Sequence, residues 1–142
     1  MTIAISVDNI LKTVFAHSAI KNTTDQKPEI LSEHDSPALR QLLYYCTCRI
    51  ASQLVGIANF NEAKSDIDKM EILTFETTVN PAEPLGTTLR MFIESALVAA
   101  LLASIWREDH DLSGVYTTLT EQNIKSIRSQ FSTTSYRIKP SA

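Results

Sequence analysis

Two cysteines, three histidines and a run of acids are the residues of this 142-residue chain best suited to chemistry. Cys46-Thr47-Cys48 brings two thiols within three positions. On a helix, side chains two apart point about 200° away from each other, so this pair cannot close on one tetrahedral metal. No second cysteine pair exists, and no histidine lies at a usual ligand spacing. Cys46 therefore reads as a small core residue and Cys48 as incidental. His17, His34 and His110 fall in separate segments. His110 stands between Asp109 and Asp111, where a carboxylate could orient an imidazole. Acids in a solvated turn ahead of a helix N-terminus account for the same residues more simply. Glu62, Asp66, Asp68, Glu71 and Glu76 form the main acidic stretch, without the turn glycine or oxygen spacing of a calcium loop. Nothing resembles a nucleophile elbow, and three glycines in all leave no phosphate-cradling loop. The expectation is no catalytic residue, no metal and no cofactor.

Composition narrows the class. Hydrophobic residues at 44% and charged residues at 20% are ordinary for one globular domain. A net charge of −3 argues against a dedicated, sequence-specific nucleic-acid binder, which carries a basic excess to neutralise phosphates. Residues 1–7 are apolar but lack a basic flank and stop at Asp8, unlike a signal peptide. The longest apolar run, residues 91–106, contains Glu94 and falls short of the roughly 20 residues of a bilayer span, so it reads as a buried core helix. Two cysteines and no signal imply synthesis in a reducing cytoplasm.

The elements that must position these residues follow from periodicity. Ser6 caps a helix over about residues 6–21, with Val7, Ile10, Leu11, Val14 and Phe15 on one stripe. A polar linker follows. Ser36-Pro37 starts a second helix over 36–57, carrying Leu39, Leu42, Leu43, Cys46, Ile50, Leu54 and Ile57. Residues 58–69 are a loop or one short helical turn. Residues 71–79 change period: Leu73, Phe75, Thr77 and Val79 alternate with their neighbours, a strand closed by Asn80-Pro81. Thr87 or Thr88 caps a third helix over 87–108, apolar nearly all round and placed at the centre of the fold. Arg90 and Glu94 are expected to pair on its wet edge for about 0.3–0.5 kcal/mol. A last helix over 113–131 turns Tyr116, Leu119, Asn123, Ile127 and Phe131 inward. The tail, 132–142, alternates weakly. Trp106 reads as core rather than interface, and Tyr45 suits either. The fold class is mainly α within α+β: one domain over 1–142, a four-helix bundle-like unit with one clear strand and an extended C-terminal tail.

A single strand cannot satisfy its own backbone donors and acceptors, so it needs a partner. Either the tail around Tyr136 and Ile138 or the same strand of a second subunit could serve. On this argument Leu73, Phe75, Val79, Tyr136, Arg137, Ile138 and Lys139 are the candidate interface residues. The cations Lys125, Arg128, Arg137 and Lys139 suit an acidic neighbouring subunit or a weak phosphate footprint.

The order from strand 72–79 into helix 89–106, then 116–131 and Arg137-Ile138-Lys139-Pro140, resembles the small helical head–tail connector (adaptor) or tail-completion proteins of tailed bacteriophages. The resemblance covers the C-terminal half and is one of pattern. It implies a virion structural protein assembled in the host cytoplasm. As a homo-oligomer it would form a ring that meets portal and tail proteins, with no membrane contact. The competing readings are a cytoplasmic helical protein-binding or regulatory module, and an enzyme whose site has no familiar signature.

Overall fold

The computed structural model describes residues 2–25, 36–62, 65, 71–77, 83–107 and 110–138. In chain order these form β1 (Thr2–Ser6), α1 (Val7–Asp25), α2 (Ser36–Gln53), β2 (Ala58–Phe60), β3 (Ile72–Thr77), α3 (Glu83–Ile105) and α4 (His110–Ile138). The chain is α+β: mostly helical, with a small three-stranded antiparallel sheet in the order β1-β3-β2.

Where one strand was expected there are three, and the expected one lies in the middle. β1 alternates in burial, Ile3 and Ile5 inward and Thr2 and Ala4 outward, the period-two pattern of a half-buried strand. Its register sets Ile3 opposite Phe75 and Ile5 opposite Leu73. These four side chains share the sheet face turned to the helices, and burying each contributes about 1.5–3 kcal/mol. β2 covers the other edge of β3, with Phe60 opposite Phe75 and their rings 5.6 Å apart. Ala58–Phe60 thus belongs to neither a loop nor a helical turn. β3 therefore finds hydrogen-bonding partners inside one subunit, in β1 and β2, where the tail or a second subunit was expected.

Helix starts follow their caps. Ser6 Oγ accepts the amide of Asn9 at 3.3 Å, as a capping serine should. α2 stops at Gln53, and Gly56 takes φ +91° in the following turn, a conformation that side chains with a Cβ resist. α3 begins at Glu83, before the expected threonine cap, because Pro84 is tolerated in a first helical turn whose amides lack partners anyway. It ends at Ile105, short of residue 108.

The last helix departs most from expectation. α4 starts at His110 and continues to Ile138, so the backbone at Tyr136, Arg137 and Ile138 is helical, not extended. Weak alternation in 133–138 competes there with a helix already nucleated, and no proline or glycine intervenes before Pro140. Lys139 and Val79 lie outside the described residues.

α3 is the hub. α1, α2, α4 and β1 all pack on it, and α4 lies antiparallel along it as the second arm of a hairpin. Ser113 Oγ, which donates to the Ala103 carbonyl at 3.2 Å, ties the start of α4 to the end of α3. Leu89, Ile93, Ala96, Leu97 and Leu101 are wholly buried, with Ile10, Val14, Leu43, Leu54 and Ile127 around them.

Candidate interaction surface

The structure places five of the seven expected interface residues, on two elements, β3 and α4. Leu73 and Phe75 are 0% exposed and belong to the core. Tyr136, Arg137 and Ile138 lie in the final turns of α4. Val79 and Lys139 are not described.

The candidate chemical groups are likewise dispersed. Cys46 is buried with its Sγ 3.7 Å from Ser104 Oγ, and burial pushes its thiol pKa up, against smaller opposing effects of Ser104 and Arg49. A raised thiol is a poor nucleophile. Cys48 is half-buried and both cysteines are free. Tyr44 donates its hydroxyl to Glu62 Oε1 at 2.8 Å. That bond, then lost hydration and the nearby Cys48, pushes the phenol pKa up to about 12. The tie fixes α2 to the turn after β2, with the Tyr44 ring 6.2 Å from Phe60. Glu76 accepts the Thr2 hydroxyl at 3.0 Å. His17 meets Tyr116 edge-on at 6.4 Å, and His110 stands at the head of α4. His34, Asp66, Asp68 and Asp109 lie outside the described residues. Among the described residues no group of three His, Cys, Asp or Glu could hold a metal ion.

What the structure does gather is surface on both flanks of the α3–α4 hairpin. On one flank, α1, α3 and α4 enclose an open groove of about 480 Å³. Met91, Val98, Leu102 and Leu119 supply its apolar lining, with His17 and Asn123 among its polar groups. Met91 is 60% and Leu119 41% exposed, and Val115, one turn before Leu119, is 55% exposed. Tyr116 and Ile127 face inward as expected, with Leu112 and Ile124 beside them; Leu119 is left on the rim of that stripe, and the side chain of Phe131 lies outside the described residues. Asn123 is half-buried and donates back to the Leu119 carbonyl at 2.9 Å.

On the other flank, α2 and α4 form the walls of a wider groove of about 1030 Å³ floored by α3. Ala100, Ala103 and Ser104 make a shallow floor, and Arg49, Arg107 and the 58% exposed Tyr45 stand at its walls and end. Tyr45 thus resolves as surface. Arg128 closes one end by donating from Nη1 to the Gln53 carbonyl, a cation at the negative pole of α2. Trp106, beside this groove, is half-buried with its indole N–H enclosed and unpartnered.

Sequence reasoning missed both flanks. The available signal was α3 itself, apolar on nearly every side in sequence, although within 86–105 the exposed residues are Thr87, Arg90, Met91 and Ser95. Over Gly86–Ile105 its mean hydropathy is 1.7, and 39% of that stretch is buried. By length and composition alone it could cross a membrane. Arg90 and Glu94 lie within the stretch, and placing two charges in hydrocarbon costs several kcal/mol. Their expected ion pair does not form: among the described residues the ion pair is Lys12 with Asp8, at 3.1 Å.

No protein-family model, curated protein or solved structure matches the chain.

Proposed function

We propose that this chain is a structural assembly subunit, acting through contacts between folded surfaces and without catalysis. The observation that carries the reading is the set of exposed apolar side chains on the α3–α4 hairpin, Met91 at 60%, Val115 at 55% and Leu119 at 41%. Exposed apolar patches rimmed by polar groups mark interaction surfaces, and Met91 and Leu119 line one groove on this hairpin with His17, Glu94 and Asn123. The helices are a bundle-like unit around α3 that further copies complete.

The setting is the one the element order implies, a head–tail connector or neck adaptor of a phage virion assembled in the host cytoplasm. Several copies would form a ring between portal and tail proteins, since a head-to-tail contact repeated with closure makes a ring. The contact falls on the α3–α4 flanks and not on β3. A second reading, a cytoplasmic helical regulatory module, draws on the smaller groove, where His17, Glu94 and Asn123 surround an apolar lining as in small-ligand sites.

Native mass measurement with electron microscopy of the purified full chain tests both. Closed rings support the connector reading. A dimer, or a monomer that takes up an apolar small molecule beside His17, supports the regulatory one. A monomer at every concentration that binds nothing contradicts both.

A further inference from the structure

We infer that the groove between α2 and α4 is a receptor for an acidic amphipathic helix of a different protein. This deepens the assembly reading, on which it rests, by naming the chemistry of a neighbour. Its shape comes first. α2 and α4 both pack on α3 but leave a gap between them. Small residues on the floor allow a helix backbone to approach closely, and Leu42, Ile105 and Ile124 offer apolar contact. The lining of α2 runs from Ala38 to Gln53, about 22 Å of helix, so the groove accepts about four turns.

Charge selects the occupant. Arg49 and Arg107 line the groove, and Lys125 and Arg128 stand at its closed end beside Gln53, with Glu121 as the acid among them. None of the four cations makes an ion pair with a described residue. The chain as a whole carries −3, so this basic face stands against the overall balance and reflects local placement. Complementary potentials of this kind choose partners and set register. A helix laid in a groove with its apolar face inward and carboxylates at the rim satisfies both features.

Among the described residues, none of the four helices supplies that occupant. α1 balances Asp8 and Asp25 with Lys12 and Lys21, α2 has no acid, α4 carries more cations than acids, and α3 is the hub.

The test uses fluorescence anisotropy with the full chain and a labelled model peptide of about four helical turns, leucine and alanine on one face and glutamate on the other. The same peptide with lysine for glutamate, and a labelled duplex DNA, are the comparison probes. The acidic peptide is expected to bind in a salt-sensitive manner, and the lysine peptide not to bind. R49E and R107E each reduce affinity by about tenfold, while K12E, on α1, leaves it unchanged. Acidic-peptide binding that survives R49E/R107E, or that never saturates, overturns the inference. So does duplex DNA binding that these reversals abolish while the peptide stays unbound, since the face would then serve phosphate. Sedimentation of the same samples separates the two levels. Retained oligomers with no peptide response sink the groove alone, and a monomer throughout sinks the assembly reading.

Discussion

The sheet and the α3–α4 hairpin start from the same material, apolar side chains on regular backbone, and treat it differently. β3 is paired on both edges by β1 and β2, with Leu73 and Phe75 wholly buried and Ile72 at its start 44% exposed. α3 buries Leu89, Ile93, Leu97 and Leu101 as completely, yet its hairpin leaves Met91, Val115 and Leu119 in water and opens a groove on either side. An edge strand left bare templates indiscriminate pairing through backbone groups. An open helix flank offers side chains alone, so partners are selected by shape and charge. The comparison teaches that the strand is the keystone of the subunit, and its helical flank is where other molecules are met.

Equal truncations on the two regions should therefore have unequal costs. Phe75→Ala removes a ring that packs on Phe60 in the sealed core and should lower stability by about 3–5 kcal/mol, read by urea denaturation under conditions that keep the chain monomeric. Leu73→Ala should cost about 2–5 kcal/mol in the same assay. Ser6→Ala, which deletes the cap joining β1 to α1, should cost about 1 kcal/mol. Met91→Ala and Leu119→Ala on the open flank should change monomer stability by under about 0.5 kcal/mol and act instead on association. A loss at Met91 as large as at Phe75 would erase the distinction between the two regions.

Two chemical probes sharpen it further. Tyr44, with its pKa raised to about 12, is protonated in the folded state where an ordinary phenol has begun to ionise. The stabilisation from its bond to Glu62 is complete below pH 10 and is lost as pH climbs through about 12. Ultraviolet titration of wild type against Tyr44→Phe should show one late-ionising tyrosine disappear. Thiol alkylation under native conditions should label Cys48 before Cys46, whose thiol is buried and raised in pKa; simultaneous labelling would mean that α2 is not packed on α3.

Much of the helical architecture was legible because long amphipathic stripes have little alternative. Val7, Ile10, Leu11 and Val14, or Leu39, Leu43, Cys46 and Ile50, fall where a 3.6-residue period puts them. Ser6 and Gly56 mark a beginning and an end. The strands were less legible. Thr2–Ser6 alternates perfectly but is only five residues long, too short to stand out beside the helix that follows. Ala58–Phe60 has three residues and is a strand only because β3 lies beside it, which is tertiary information. That omission carried into the site. With β1 and β2 unseen, β3 looked unpaired, and Leu73 and Phe75 passed for interface residues. The grooves could not be read locally, since each needs the spacing of three helices.

Hydrogen exchange of the full chain, followed as its concentration is raised, tests most directly whether the helical flank is where molecules meet. The account predicts that amides of α3 near Met91 and of α4 from Val115 to Asn123 gain protection on association, while those of β3 stay as protected as in the monomer. Unchanged exchange along α3 and α4, or new protection confined to the strands, would contradict it.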